Sequence, residues 1–482
     1  MLTIRSGAAS SAPTFLVLLV AFLLPPTVLA QPDAAASLAA EETCDDAGAA
    51  ASDPGDEASV ADDELEVRPY EVSFEFVNLF LFRSDTDFDA SKGVYEPDGQ
   101  TSGVLGTFLK PDLTVNLAKN LRLFYELEIG LNLWSLHNPD QQDATSGDMF
   151  VMKHRELYAE GEFLDGLVGF KVGYQRFRDP THLFLDHWIG AASLSSDLDV
   201  VRLTASFGQV ADPTYEGFRV EKNNFAHDTL VYALSGESTF AGFVTLSTGF
   251  FGVSDSRVVG HTNHVFTPAV NLEADLDVVR LGIDGALQVG AFEGMAADGG
   301  NEKTLAWAAQ LYGEAQLRRL FVKLNVLALS PDDDGASNRA NGAFHGSAKN
   351  RSSTLFFTES ELRDTWDNLD EKLGTTRGPF LLQRAGLFLP DVMVGYDVLP
   401  WLRPVAIVGY GMALNPDNAL GSRALGLEAD LGVELKYEDL LLFQVYGGVL
   451  VPGKGAAALV NAIDRTATEP LWSCVSTLKL FY

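Results

Sequence analysis

Glu126 and Glu128 stand two residues apart and share parity with Arg122. Glu428, Asp430 and Glu434 repeat the pattern near the other end of the chain. Side chains two residues apart on a strand point to the same face. If that face lines water, its charges focus a potential that selects which solute enters. The same parity argument puts Lys171, Gln175, Arg202, Arg280, Asp284, Glu314 and Lys323 on the inward face. It adds the acids Glu71, Glu75, Asp112, Glu273, Asp391 and Asp397, and the bases Lys110, Lys436 and Lys479. Acids outnumber bases, so the wall is expected to pass cations or neutral solutes at least as well as anions. The plainer alternative is that these charges pair across strands and select nothing.

Other chemistry is thin. His261 and His264 are neighbours, but no carboxylate or cysteine completes a metal set at suitable spacing. Asp332-Asp333-Asp334-Gly335 lacks the alternating ligands of a calcium loop. His154 is the one histidine well inside a strand, and no serine partner is identifiable for it. Neither an enzyme nor a cofactor is expected.

Such wall charges need a sheet to hold them. Alternating stretches of about ten to fifteen residues run from 70–83 to 469–482, about eighteen in all. In the third, Leu123, Tyr125, Leu127, Ile129, Leu131 and Leu133 lie opposite the charged parity. Leu425, Leu427, Leu431, Val433, Leu435 and Tyr437 do the same near the end. Connections alternate strictly between tight turns (Ala118-Lys119-Asn120, Leu164-Asp165-Gly166, Glu438-Asp439) and long ones (84–103, 135–148, 209–225, 331–382, 453–468). The expected fold is all-β: a transmembrane antiparallel β-barrel with short periplasmic turns and long extracellular loops. In lipid, backbone groups find partners only if the sheet closes. A barrel of about eighteen strands encloses water unless loops fill it.

The longest loop, 331–382, offers Thr358-Glu359-Ser360-Glu361 as a capping box. Leu362, Trp366, Leu369 and Leu373 follow at helical spacing. It carries Arg339, Lys349, Arg351, Arg363, Lys372 and Arg377. Folded inward, it would narrow the pore and set bases against wall acids; left outside, it is a surface loop. Arg339, Lys349, Arg351, Arg363 and Trp366 are the constriction candidates.

Residues 1–30 read as an export signal, with Arg5, an apolar core Phe15–Leu24 and small residues ending at Ala30. Residues 31–66 form an acidic tract without aromatic residues, lysine or arginine. It is expected to be a disordered periplasmic tail. Residues 67–482 are the expected barrel. Cys44 and Cys474 are expected to be free thiols. The net charge of −32 argues against a nucleic-acid partner, which needs a basic footprint. The 46% hydrophobic content suits a barrel, because only alternate residues face lipid. The expected partners are outer-membrane lipid and hydrophilic solutes. Phe74, Phe76, Phe80, Phe82, Trp134, Trp188 and Trp401 fit interfacial girdles.

One region resembles a known family. Arg155-Glu156-Leu157-Tyr158 is followed by Val172-Gly173-Tyr174-Gln175-Arg176-Phe177, then Asp186-His187-Trp188, then Leu198-Asp199-Val200-Val201-Arg202-Leu203. This order resembles the alginate-export family of eighteen-stranded outer-membrane channels. Tyr174 stands where that family has arginine, and Val200 where it has glycine. The final strand, with Trp472, Leu478, Leu480 and Tyr482 on one face, resembles the signal read by the outer-membrane assembly machinery. The resemblance implies an outer-membrane channel for passive passage of hydrophilic solutes. Two alternatives are a polysaccharide export channel guided by Arg122, Lys171, Arg202 and Arg280, and a surface structural or adhesion barrel.

Overall fold

The computed structural model describes residues 69–83, 102–136, 150–210, 229–255, 263–292, 301–332, 340–344, 351–358, 385–456 and 468–482. Period-two alternation becomes strand throughout. The strands are β1 (Tyr70–Arg83), β2 (Ser102–Ala118), β3 (Leu121–Leu136), β4 (Phe150–Phe163), β5 (Val168–Arg178), β6 (Asp186–Asp197) and β7 (Arg202–Val210). Then come β8 (Thr229–Phe240), β9 (Val244–Asp255), β10 (Asn263–Leu276), β11 (Val279–Phe292), β12 (Glu302–Leu317) and β13 (Leu320–Leu329). The chain finishes with β14 (Ala340–Asn341), β15 (Leu387–Tyr396), β16 (Leu402–Met412), β17 (Ala424–Tyr437), β18 (Leu441–Pro452) and β19 (Leu471–Phe481).

Each strand pairs antiparallel with its predecessor, except at β14. That two-residue strand lies parallel to β12, and β13 pairs directly with β15. β1 pairs with β19 from Glu75↔Phe481 to Arg83↔Ser473, which closes the sheet. The result is a closed antiparallel barrel of 18 strands. Tight turns gather at one end and long connections at the other. Several turns carry non-glycine residues at positive φ, among them Leu164, Asp165, Ala241 and Asp277. Left-handed geometry of this kind matches the right-handed strand twist of short hairpins.

The outer face is apolar. Leu194, Leu203, Phe207, Leu234, Phe250, Leu281, Leu311, Leu324 and Leu431 are all exposed on it. Unpaired apolar area of this extent around a whole barrel suits lipid, not water. Phe74 stacks on Tyr482 at 4.9 Å, and Phe82 packs on Trp472 at 5.0 Å, reinforcing the seam between β1 and the C-terminal strand.

Two expectations change. Leu425 was expected on the outer face but is fully buried. Gly426 sits at φ +148, beside a register shift at Gly411/Met412, and this irregularity turns Leu425 inward. The inward parity is also not polar along its whole height. Toward the loop end it carries buried Leu79, Leu81, Ile189, Val231, Phe251, Leu387, Leu389, Ile407, Leu450 and Leu471. Inward-folded loop residues pack against most of this surface in one hydrophobic cluster, while Leu79 and Leu81 belong to a second with Val77, Phe108 and Val475.

The export signal and acidic tail (1–66, with Cys44), His261, Arg339, Lys349, Arg363, Trp366, the helical stretch 362–373 and the side chain of Trp134 lie outside the described residues. Cys474 is half-buried and forms no disulfide among the described residues.

Candidate functional site: the barrel lumen

Residues 351–358 of the long loop run inside the barrel as an internal strap. Ser352 through Phe357 are buried. The wall supplies the partners that their backbone needs. Asp391 on β15 accepts the Ser353 N–H at 3.1 Å. Glu428 on β17 accepts those of Phe356 (2.8 Å) and Phe357 (3.1 Å), one on each carboxylate oxygen. Charged acceptors make stronger bonds than neutral ones. Wall glycines leave room for the strap. A Cβ at Gly409 would collide with Thr354, one at Gly411 with the Phe357 ring, and one at Gly448 with Asp430 and Phe356.

Arg351 begins the strap and enters a cradle on β10, β11 and β12. Its Nε donates to Asp284 Oδ2 at 3.2 Å, and its Nη2 lies 3.8 Å from Glu273 Oε2. Its guanidinium sits 4.0 Å above the Tyr312 ring. The Arg351 N–H donates to Gln310 Oε1 at 3.3 Å.

A second inward segment, 179–185, connects β5 to β6. Asp179 organises it as a local cap, accepting N–H bonds from Thr181 (2.9 Å), Phe184 (3.2 Å) and Leu185 (2.9 Å). Phe184 meets Phe251 edge-on at 5.1 Å, and Phe177 meets the same ring at 6.2 Å. His182 belongs to this segment. Burial, and next the Arg351 guanidinium, hold it below the ordinary imidazole value. Arg178 acts in the same direction, while Asp179 and Asp186 oppose.

Ion pairs link the wall on the other side. Lys479 on β19 lies 3.2 Å from Glu75 on β1; Lys110 on β2 reaches both Glu75 (3.9 Å) and Glu128 on β3 (3.8 Å). Arg155 on β4 donates to Glu128 at 2.9 Å and lies 4.5 Å over the Trp188 ring. Arg176 lies 5.0 Å over the same ring and forks onto Asp186 at 2.7 and 2.9 Å. Four residues of the sequence pattern, Arg155, Arg176, Asp186 and Trp188, thus converge. Trp188, expected in a girdle, serves as a cation platform instead.

Toward the turn end, beside β2 to β9 and reaching Phe177, Pro180 and Phe251, lies a cavity of about 1280 Å3. Among the described residues its bases are Lys119, Arg122, Lys171, Arg176, Arg178 and Arg202; its acids are Glu160, Glu162, Asp165 and Glu237. Ser193, Ser195, Thr204, Ser206, Ser235 and Ser247 add hydroxyls.

Arg122 pairs with Glu160. Lys171 stands 3.6 Å over the Tyr158 ring. Arg202 lies opposite Glu237 in the register. Gln175 is buried and donates to the Ala191 carbonyl at 3.1 Å. Arg280 pairs with Asp275 at 3.0 Å and is not among the residues lining the cavity. Glu126 lies opposite Asp112 and Glu156, and Glu314 opposite Lys323. Glu434 accepts from Gln444 at 3.3 Å and from the Tyr446 hydroxyl. Glu128, Asp284, Glu428 and Asp430 face inward as parity predicts, but they are buried. That corrects the acidic-wall picture: Asp284 and Glu428 hold the strap, Glu128 belongs to the ion-pair chain, and the open cavity carries more bases than acids. His154 donates to or accepts from the Tyr125 hydroxyl at 2.8 Å and is exposed. Sequence reasoning missed segment 179–185, whose one signal was the apolar run Leu183-Phe184-Leu185 in a loop-end connection.

Solved structures share this architecture. OccAB4 of Acinetobacter baumannii aligns with a TM-score of 0.53 at 12% identity, over 86% of this chain and 98% of that one. The fold is that of the outer-membrane porins. The outer membrane protein OpdK of Pseudomonas aeruginosa aligns at 0.50 and 13% identity, over 86% and 99%. OccK2 (OpdF) of Pseudomonas aeruginosa, in complex with glucuronate, aligns at 0.50 and 12%, over 86% and 97%. No protein-family model matches the chain, and no curated protein matches it either. The likeness to a porin-type barrel is therefore one of fold.

Proposed function

We propose that this protein is an outer-membrane channel for passive passage of small or oligomeric hydrophilic solutes. Its tight turns would face the periplasm and its long loops the exterior. The export signal would deliver it, and the C-terminal strand would be read by the assembly machinery. The observation that carries this reading is a closed barrel with an apolar outer face and a charged, hydroxyl-lined cavity of about 1280 Å3 inside. The strap 351–358 acts as the constriction. The cavity's base excess suits neutral or anionic hydroxylated solutes, the class to which the glucuronate bound by OccK2 belongs.

A second reading, export of an acidic polysaccharide, gains from the alginate-export-like pattern and from Arg122, Lys171 and Arg202 sharing one cavity. Arg280 stands apart from them, which leaves the proposed basic ring incomplete.

The test is a planar bilayer under a salt gradient. Steady current with anion preference is expected, weakened by Arg122→Ala with Arg202→Ala. Absence of current refutes the channel, and cation preference refutes the basic-cavity reading.

A further inference from the structure

The cradle around Arg351 is built from wall residues that also bond to one another. Asn271 Nδ2 donates to Asp284 Oδ1 at 2.6 Å and to the Tyr312 hydroxyl at 3.1 Å. The Tyr312 hydroxyl in turn donates to Glu273 Oε2 at 2.7 Å. Both carboxylates and the ring are therefore fixed by one another. Tyr312 lies flat over Gly282, where any Cβ would collide with the ring. An aromatic face with two carboxylates beside it fits a planar cation, since guanidinium both stacks and donates in a fork. Arg351 shows that fit: stacked at 4.0 Å, bonded to the buried Asp284 at 3.2 Å.

We propose that this cradle is a binding site for solutes bearing a guanidinium group, which Arg351 occupies in cis, so that such a solute displaces the start of the strap and widens the lumen. The opening half of this inference rests on the channel reading; the binding half does not. Arg351 is tethered close to its site, so it competes at an effective concentration in the millimolar range. Wild-type protein is therefore a weak binder, and protein lacking Arg351 is a better one.

The experiment is calorimetric titration of the full-length mature protein in detergent with ethylguanidinium, at fixed ionic strength. Arg351→Ala should bind at least about tenfold more tightly than wild type. Ethylammonium should bind Arg351→Ala more weakly than ethylguanidinium, because it cannot stack and fork together. Adding Asp284→Asn to Arg351→Ala should abolish the gain. Arg351→Met, which keeps most of the side-chain volume, serves if the alanine variant does not fold. Equal binding by wild type and both Arg351 variants overturns the proposal. So does binding that survives Asp284→Asn, and so does equal binding of ethylammonium, which marks a general cation site. Bilayer currents on the same samples separate the two readings. Binding without current refutes the channel alone, whereas current without binding refutes the cradle alone.

Discussion

Removing the Phe356 ring should release the strap. Leu355, Phe356 and Phe357 are almost fully buried, and each contributes roughly 1.5–3 kcal/mol, about 7 together. The backbone bonds to Asp391 and Glu428 involve charged acceptors and add about 2 kcal/mol each, roughly 6 together. Ordering residues 351–358 costs about 1–2 kcal/mol per residue, roughly 12 in all. The terms nearly cancel, so the docked strap is held by a small margin. Phe356→Ala costs about 3–5 kcal/mol, more than that margin. The docked-to-free ratio should fall by roughly two orders of magnitude or more. Single-channel conductance should rise, and amide protons of 353–357 should lose exchange protection. Gly411→Val attacks the same contact from the wall side, because a Cβ there meets the Phe357 ring. If both variants keep wild-type conductance and protection, the strap is not the constriction and the energy argument is wrong.

Acid should loosen the same region through His182. Its folded value is lowered, so the neutral form is favoured when the segments are docked. The unfolded segment binds the proton more readily, so this stability is present above the ordinary imidazole value of about 6.5 and is lost as pH falls below it. Current noise should grow between pH 7 and 5 in wild type and stay flat in His182→Gln; equal growth in both rejects His182 as the source. Asp397, in the turn between β15 and β16, has the opposite chemical origin but the same sign. The Arg403 guanidinium, bonded to it at 2.7 Å, holds its carboxyl below the usual range. That contribution is present above an ordinary aspartate value and is lost as pH falls through the lowered one. Asp397→Asn should therefore lower the barrel's unfolding temperature at pH 7 while leaving it less sensitive between pH 4 and 2; an unchanged profile removes Asp397 from the account.

The sequence by itself determined the sheet. Period-two alternation fixes which side chains face outward, and the strict alternation of short and long connections fixes an up-and-down order. Backbone groups in lipid then demand closure, so a barrel of about eighteen strands follows from local pattern and one solvent argument. Parity puts Glu128, Asp284, Glu428 and Asp430 on one side of the sheet, and the structure buries all four. Parity could not tell which of them meet water, because that depends on what the loops bring in. The strap's destination is set by contacts some forty to seventy residues apart in the chain, such as Arg351 to Asp284 and Phe356 to Glu428. No periodicity encodes such pairings. Leu425 shows the same limit on a smaller scale: one glycine at φ +148 inverts a side chain that alternation assigns to the other face. The inner wall's charge pattern was legible; whether each charge selects a solute or anchors a loop was decided only when the tertiary structure brought segments 179–185 and 351–358 against the wall.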